Sequence, residues 1–390
     1  MTVPDRAGAS GPDRAWPTTG TELKHRWSVG HNYLAGITAG DWWRLLRDNH
    51  FDVDAAYWHR AAVVTALSLV NSVHRWREGR RWNDAIRSTE ITRPPLFVLG
   101  HWRSGTTHLH NLLAQDTAQF AFANTYQVIN PHTFLTTEAV NTRLFASLLP
   151  PTRPMDAMAL SFQSPQEDEF APCLMTLKSP YIGVSFPHRE DAYAQYLSFR
   201  DASPADIAEW KAAFRWFLQK LTLKYGRALL LKSPTHTARV RLLLELFPDA
   251  RFVHIHRHPY EVFQSFQHYY DTATWYTYLQ RPNRSAIDDR ILSRYTEIHD
   301  ALLADLPRIP AGRFHELRFD DLERDPVGQI ATLYEQLGLS GFAQCEPQLA
   351  AHVATLRGYE RNQFPPLAAA VRERVAHEWH RSFERWGYRA

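Results

Sequence analysis

Pro95-Leu96-Phe97-Val98-Leu99-Gly100-His101-Trp102-Arg103-Ser104-Gly105-Thr106-Thr107 decides how this chain is to be read. A short uncharged apolar run ends in a glycine. A second glycine follows, and Leu109, Leu112 and Leu113 then recur at helical spacing. The pattern predicts a buried strand, a tight loop and a helix that begins at the loop. Backbone N–H groups at a helix N-terminus have no intrahelical acceptor, and the aligned peptide dipoles add positive potential there. The loop is therefore suited to a phosphate-like anion. Gly100-x-x-x-x-Gly105 has the spacing of a nucleotide-binding P-loop, but Thr106 stands where that motif carries lysine. Arg103, inside the loop, is the available cation. Without the lysine an ATP or GTP enzyme loses its contact to the transferred phosphoryl group. A donor that needs a phosphate cradle and no such lysine fits these residues better.

A second stretch has the same grammar. Arg251-Phe252-Val253-His254-Ile255-His256-Arg257 reads as a strand, and His258-Pro259-Tyr260-Glu261 opens a helix with proline in its first turn. Arg257 and Ser265 face each other across this strand-to-helix turn, an arginine fork and a hydroxyl placed to grip a second phosphate. Arg227-Ala228-Leu229-Leu230-Leu231-Lys232 is a further buried strand, followed by a helix carrying Val240, Leu242, Leu243, Leu246 and Phe247. Phe314-His315-Glu316-Leu317-Arg318-Phe319 is a fourth, with a helix over 330–337. Strand, helix and strand within about 30 residues make a βαβ unit with parallel strands. The fold class is α/β: a P-loop-like open parallel β-sheet flanked by helices. Ligands bind such sheets at the carboxyl ends of strands, where Arg103, Lys232 and Arg257 gather.

At these residues the chain resembles a known family. Arg103-Ser104-Gly105-Thr106-Thr107 resembles the 5'-phosphosulfate loop of sulfotransferases, and the arginine-to-serine spacing of 257–265 resembles their 3'-phosphate motif. Gly100-His101-Trp102-Arg103-Ser104-Gly105-Thr106-Thr107, Pro165-Gln166-Glu167-Asp168-Glu169-Phe170 and Leu231-Lys232-Ser233-Pro234-Thr235-His236 are similar to the bacterial branch of that superfamily. The resemblance spans residues 93–340. It implies 3'-phosphoadenosine 5'-phosphosulfate (PAPS) as donor cosubstrate and no metal. It also implies a donor site of Arg103, Ser104, Gly105, Thr106, Thr107, Arg257 and Ser265. Arg103 and Lys232 would serve the leaving oxygen. The family uses a glutamate or a histidine as base, which makes Glu167 the first candidate, Glu169 its alternative and His236 the reserve. The opposed reading of the acids is that they follow Pro165 in the first turn of a helix and only offset its dipole. The C-terminal Arg-Lys-Gly loop of cytosolic animal sulfotransferases is not evident, and Arg357-Gly358-Tyr359-Glu360-Arg361-Asn362 is the stretch that would replace it.

The rest of the chain bounds the reading. Its 390 residues are 44% hydrophobic and carry a net charge of only +3, too little to argue for nucleic acid. Cys173 and Cys345 form neither a metal spacing nor a disulfide framework, which suits the cytoplasm. Residues 1–24 read as a disordered tail, 25–92 as a helical N-terminal extension with a stripe of Trp42, Trp43, Leu45 and Leu46, and 93–390 as the sulfotransferase domain. The most apolar window, 61–70, falls short of the ~20 residues of a membrane span. Arg75-Trp76-Arg77-Glu78-Gly79-Arg80-Arg81-Trp82 follows it. Residues 61–82 thus have two readings, a helix buried against the main domain or a peripheral membrane contact. The insert 116–226, rich in proline and aromatics, is expected to cover the site and shape a pocket for a small-molecule, lipid or glycan hydroxyl or amine. Nothing in the chain sets an oligomeric state. Two other classes remain: a P-loop kinase-like protein, which needs a lysine at 106 and a Walker-B acid, and a non-catalytic nucleotide-binding scaffold, which would be expected to have lost Arg103, Thr106, Arg257 or Ser265.

Overall fold

The computed structural model describes residues 23–145, 152, 153, 155, 156, 158, 161–358 and 362–390. Its strands are β1 (Leu96–Leu99), β2 (Phe120–Ala121), β3 (Ala228–Lys232), β4 (Arg251–His256) and β5 (Phe314–Arg318). They form one sheet in the order β2-β3-β1-β4-β5, with every neighbouring pair parallel. β1 lies at the centre, with Phe97 opposite Leu231 on one side and Phe252 on the other. Leu96 and Val98 pack with Leu230, Val253 and Ile255 against the leucines of α3 (Thr106–Leu113). Phe97 and Leu99 point the other way, into a larger core with Leu229, Leu231 and Phe252. Burial on both faces explains why β1 and β3 read as continuous apolar runs rather than as alternating ones.

The strands expected from the sequence are present, as are the helices Val240–Leu246 and Pro259–Thr272, the latter with proline in its first turn. The helix expected over 330–337 begins earlier, at Pro326. The Asp325 carboxylate accepts from the Gly328 N–H at 3.0 Å and proline is at hand for the first helical position. β2 was not foreseen, because two residues are too few to show a period. The insert is more regular than its composition suggests. It contains the helix Pro204–Tyr225, which buries Trp210, Phe214, Phe217, Leu218 and Leu221 along one face, is capped by Ser203 and stops at the left-handed Gly226.

The N-terminal extension carries α1 (Ala39–Asp48) and α2 (Trp58–Ser88). Tyr33, Leu34, Ile37, Trp42, Leu45 and Val64 belong to the same buried cluster as Phe97 and Phe252. The expected stripe is narrower than read: Trp42 and Leu45 are buried, whereas Trp43 is exposed. α2 is anchored by charge. The Arg60 guanidinium donates to the carbonyls of His25, Ser28, Trp275 and Tyr278. Buried Glu78 pairs with Lys220 of the long helix and accepts from the Thr136 N–H at 2.9 Å. The buried-helix reading of 61–70 holds for one side only: Val64 and Ser68 face in, while Val63, Leu67, Leu69 and Val70 are exposed. The tail expected over 1–24 lies outside the described residues up to 22, and Lys24 pairs with Asp271 at 2.8 Å. Among the described residues no helix is long and apolar enough to cross a membrane.

Candidate active site

The loop between β1 and α3 can be built only with its two glycines. Gly100 has φ 146°, and a Cβ there would lie 2.6 Å from the Ile255 carbonyl oxygen. Gly105 has φ 101°, and a Cβ there would meet the Phe319 ring at 2.3 Å. The Gly100 N–H donates to Thr237 Oγ1 at 2.7 Å, which ties the loop to the segment after β3. Ser104 Oγ donates to the His101 carbonyl at 2.8 Å and braces the loop from within. Gly105 is the N-cap residue of α3 and no side chain caps the helix. Arg103 itself takes φ 71°, a left-handed conformation that costs a non-glycine residue about 1–3 kcal/mol.

That conformation turns the Arg103 side chain toward the helix Pro259–Thr272. Its Nε donates to Ser265 Oγ at 2.9 Å and its Nη1 to Asp156 Oδ2 at 3.0 Å. Burial lowers the pKa of Arg103, with the Asp156 carboxylate opposing the shift. Arg257 is held by Glu261 at 2.6 Å, lies over the Phe319 ring and reaches the Arg103 carbonyl at 3.5 Å. Arg103, distant in sequence, thus joins Arg257 and Ser265 in one cationic corner beside the loop. Arg153 joins it, with Nη2 3.2 Å from Asp156 Oδ2 and Nη1 3.4 Å from Thr107 Oγ1.

The acidic cluster divides three ways. The segment is pinned by a bridge from Pro165 to Asn124 and by the Gln166 N–H on the Ala123 carbonyl at 3.0 Å. The helix begins only at Phe170, so the acids precede its first turn rather than fill it. Glu167 lines a cavity of about 320 Å³. Its Oε1 accepts from Lys232 Nζ at 3.1 Å and its Oε2 from the Tyr181 hydroxyl. Asp168 is buried beneath, accepting from the Lys232 N–H at 2.8 Å and pairing with His236 Nε2. Burial alone would raise the Asp168 pKa, but His236 and the amide outweigh it and hold the carboxyl below its usual range.

Glu169 is fully buried and does not reach the cavity. Arg239 holds both its oxygens, at 2.5 and 2.9 Å, and Ser179 Oγ donates to it at 2.7 Å. His236 is likewise a correction to the sequence reading. It is fully buried between Phe97 and Phe214, with Nε2 turned to Asp168, and lines no part of the cavity.

Lys232 joins the two halves of the site. Its Nζ lies 3.4 Å from Thr107 Oγ1 on the loop and 3.1 Å from Glu167. Burial lowers its pKa and the Glu167 carboxylate opposes this. The cavity runs from Arg103, Thr106 and Thr107 past Glu167 to Asn32 and Tyr33, and its walls include Trp102, Tyr126, Phe162 and Tyr276. Such an arrangement can hold an anionic donor at one end, an apolar acceptor at the other and a carboxylate where they meet.

Tyr181, Trp102, Arg153 and Asp156 gained no role from sequence reasoning. Trp102 Nε1 donates to the Tyr181 hydroxyl at 3.3 Å, extending the bond to Glu167. Burial first, then the charge of Glu167, raises the Tyr181 pKa well above the usual phenol value, so this hydroxyl stays a donor. Of the replacement loop expected at 357–362, residues 359–361 lie outside the described residues, and the Asn362 side chain donates to the Met155 carbonyl at 2.8 Å.

Comparisons with known proteins bear on the family and the fold. The model of the sulfotransferase family matches residues 94–344. The chain is 37% identical over 368 residues to the omega-hydroxy-beta-dihydromenaquinone-9 sulfotransferase Stf3 of Mycobacterium bovis, covering 92% of this chain and 90% of that protein. The Stf3 protein of Mycobacterium tuberculosis gives the same figures. The fold is shared with two crystal structures at 18% identity. Sulfotransferase STF9 from Mycobacterium avium has a TM-score of 0.67, with 90% of this chain and 96% of that one covered. Sulfotransferase STF1 from Mycobacterium tuberculosis H37Rv has a TM-score of 0.61, with 90% and 93% covered. With the loop, the arginine–serine corner and the lysine-linked carboxylate assembled on such a sheet, the chain belongs to the sulfotransferase family and is a PAPS-dependent sulfotransferase.

Proposed function

We propose that this enzyme transfers the sulfuryl group of PAPS to a hydroxyl of a lipid-like acceptor in the cytoplasm, with Glu167 as general base. The observation that carries the proposal is the double contact of Lys232 with Thr107 of the donor loop and with Glu167 on the wall of an aromatic cavity. The long match to relatives named for a hydroxylated menaquinone supports a lipid-like acceptor over a sugar. In the reaction the acceptor O–H gives its proton to Glu167 as its oxygen bonds to sulfur in line. The S–O bond to the bridging phosphate oxygen breaks, and adenosine 3',5'-bisphosphate leaves with the electron pair. Arg103, Lys232 and the first-turn amides of α3 offset the charge that develops on that oxygen, as positioned donors do in phosphoryl transfer. Ser104 and Gly105 shape the loop that presents them.

Incubation with PAPS and a long-chain prenyl alcohol, followed by mass spectrometry, tests the proposal. A sulfated alcohol formed together with adenosine 3',5'-bisphosphate is expected; sulfation of phenols or sugars but not of the lipid alcohol would redirect the acceptor class.

Two further results are expected at the donor corner. Arg103→Ala removes charge-assisted hydrogen bonds worth about 1.5–3 kcal/mol, and calorimetry should show adenosine 3',5'-bisphosphate binding weakened about ten- to hundredfold. Unchanged affinity and turnover would remove Arg103 from the site. Ser265→Ala and Arg257→Ala should each weaken adenosine 3',5'-bisphosphate more than adenosine 5'-phosphate, which lacks the 3' group. Equal losses for the two ligands would mean that this corner does not hold the 3'-phosphate, and general misfolding would not imitate the expected difference.

A further inference from the structure

We propose that the outward face of α2 seats the enzyme on an anionic lipid bilayer, beside the cavity that receives the acceptor. The proposal deepens, and rests on, the lipid-acceptor reading. Its first support is the distribution of exposed apolar side chains. Among the described residues, every large exposed one lies in 27–76 or 140–145, on α2, on the segments beside it and on the helix Phe134–Leu144 that packs against it. Residues 61–74 contain no Asp, Glu, Lys or Arg, and Leu69, Val70, Val73 and Trp76 are each more than half exposed, at 59%, 52%, 51% and 60%. A contiguous exposed face of this kind marks an interaction surface.

The second support is charge. Directly after the apolar half come Arg77, Arg80 and Arg81, all exposed, and among the described residues none of them makes an ion pair. Arg80 lies over the Trp76 ring at 5.1 Å. The carboxylate embedded in this stretch, Glu78, faces inward and is spent on Lys220. A second copy of the chain, or a protein partner with a like surface, would set arginines against apolar side chains. An anionic bilayer accepts both, with acyl chains under the apolar half and headgroups against the arginines, and tryptophan suits the boundary between them.

The third support is continuity with the site. The Asn71 side chain, on the side of α2 that faces the protein, donates to the carbonyls of Ala35 and Ile37 at 2.8 and 3.0 Å. The turn so held carries Asn32 and Tyr33, which line the cavity. The same cavity is lined by Glu167, so the face of α2 and the acceptor end of the site are joined through this turn.

Co-sedimentation with phosphatidylcholine vesicles, with and without phosphatidylglycerol, tests the docking without any acceptor. The wild-type protein should sediment with the anionic vesicles at low salt and be released as salt rises. L67E/V70E should bind at least about tenfold more weakly, since charge is placed in the apolar contact. R77S/R80S/R81S should lose roughly fivefold per arginine, the fold-change equivalent to about 1 kcal/mol each. Wild type remaining in the supernatant, or L67E/V70E binding as wild type does, overturns the proposal. So does a wild-type dimer in solution that L67E/V70E dissolves while no vesicle binds. Turnover of a detergent-dispersed prenyl alcohol should be the same in wild type and L67E/V70E, which shows that the variant is folded. Vesicle binding by a protein that sulfates no lipid alcohol in detergent leaves the docking in place and overturns the acceptor reading instead.

Discussion

Glu167→Gln should lower kcat by ~10²–10⁴-fold, the usual contribution of a general base, and leave the Kd for adenosine 3',5'-bisphosphate nearly unchanged. Glutamine keeps the size of the side chain. Its amide oxygen can still accept from Lys232 Nζ or from the Tyr181 hydroxyl, the two groups that hold Glu167 now. What it cannot do at neutral pH is take the acceptor's proton. Because the donor corner of Arg103, Arg257 and Ser265 does not touch Glu167, donor binding should survive. The loss should therefore lie in kcat rather than in the donor KM, the pattern of an interaction made in the transition state. Stopped-flow or discontinuous assays at saturating donor, beside calorimetry on the same preparation, separate the two. A parallel collapse of donor affinity would instead make Glu167 a support for Lys232 and the loop.

Glu169→Gln should behave in the opposite way, with a large loss of stability and a far smaller loss of turnover per folded molecule. Both carboxylate oxygens are bound to the Arg239 guanidinium, and neither side chain is exposed. Arg239 has further bonds to the carbonyls of Leu197 and Tyr196 at 3.0 and 2.6 Å, so it cannot swing out to water. Removing one partner leaves a buried charge without compensation, at a cost of about 3–5 kcal/mol. For a chain of this length the unfolding entropy per residue converts that to a melting-temperature fall of about 5 °C. Differential scanning calorimetry checks it. An unchanged transition with kcat abolished would move the base from Glu167 to Glu169.

The contrast between these neighbours shows where sequence reasoning reached and where it stopped. The β1–α3 loop was legible because its demands are local: two glycines forced by φ and close approach, and a helix starting at the second. The arginine–serine corner was legible for the same reason, as a strand-to-helix turn of fixed spacing. The acids at 167 and 169 were legible as candidates for the base. Which of them meets the cavity depends on Tyr181, Lys232 and Arg239, 14 to 70 residues further along the chain, and no local pattern encodes those contacts. Tyr181 meets Glu167, and Trp102 meets Tyr181, only through the tertiary fold, and Arg153 sits in a proline-rich stretch with no period. The helix Pro204–Tyr225 could have been found from its Ser203-Pro204 start and the spacing of Trp210, Phe214, Phe217 and Leu221. α2 misled in a different way. Residues 61–74 carry no Asp, Glu, Lys or Arg on any side, so the sequence alone could not say that only one side would be covered.

The most direct test of the account follows both products of one reaction. The enzyme is given PAPS labelled in its sulfonate and a long-chain prenyl alcohol, and the sulfated lipid and adenosine 3',5'-bisphosphate are measured together, in wild type and in Glu167→Gln. The account predicts that the two products form in equal amounts in wild type, and that both fall together by ~10²–10⁴-fold in the variant. Release of adenosine 3',5'-bisphosphate without label in the lipid, or equal lipid sulfation by the variant, would contradict it.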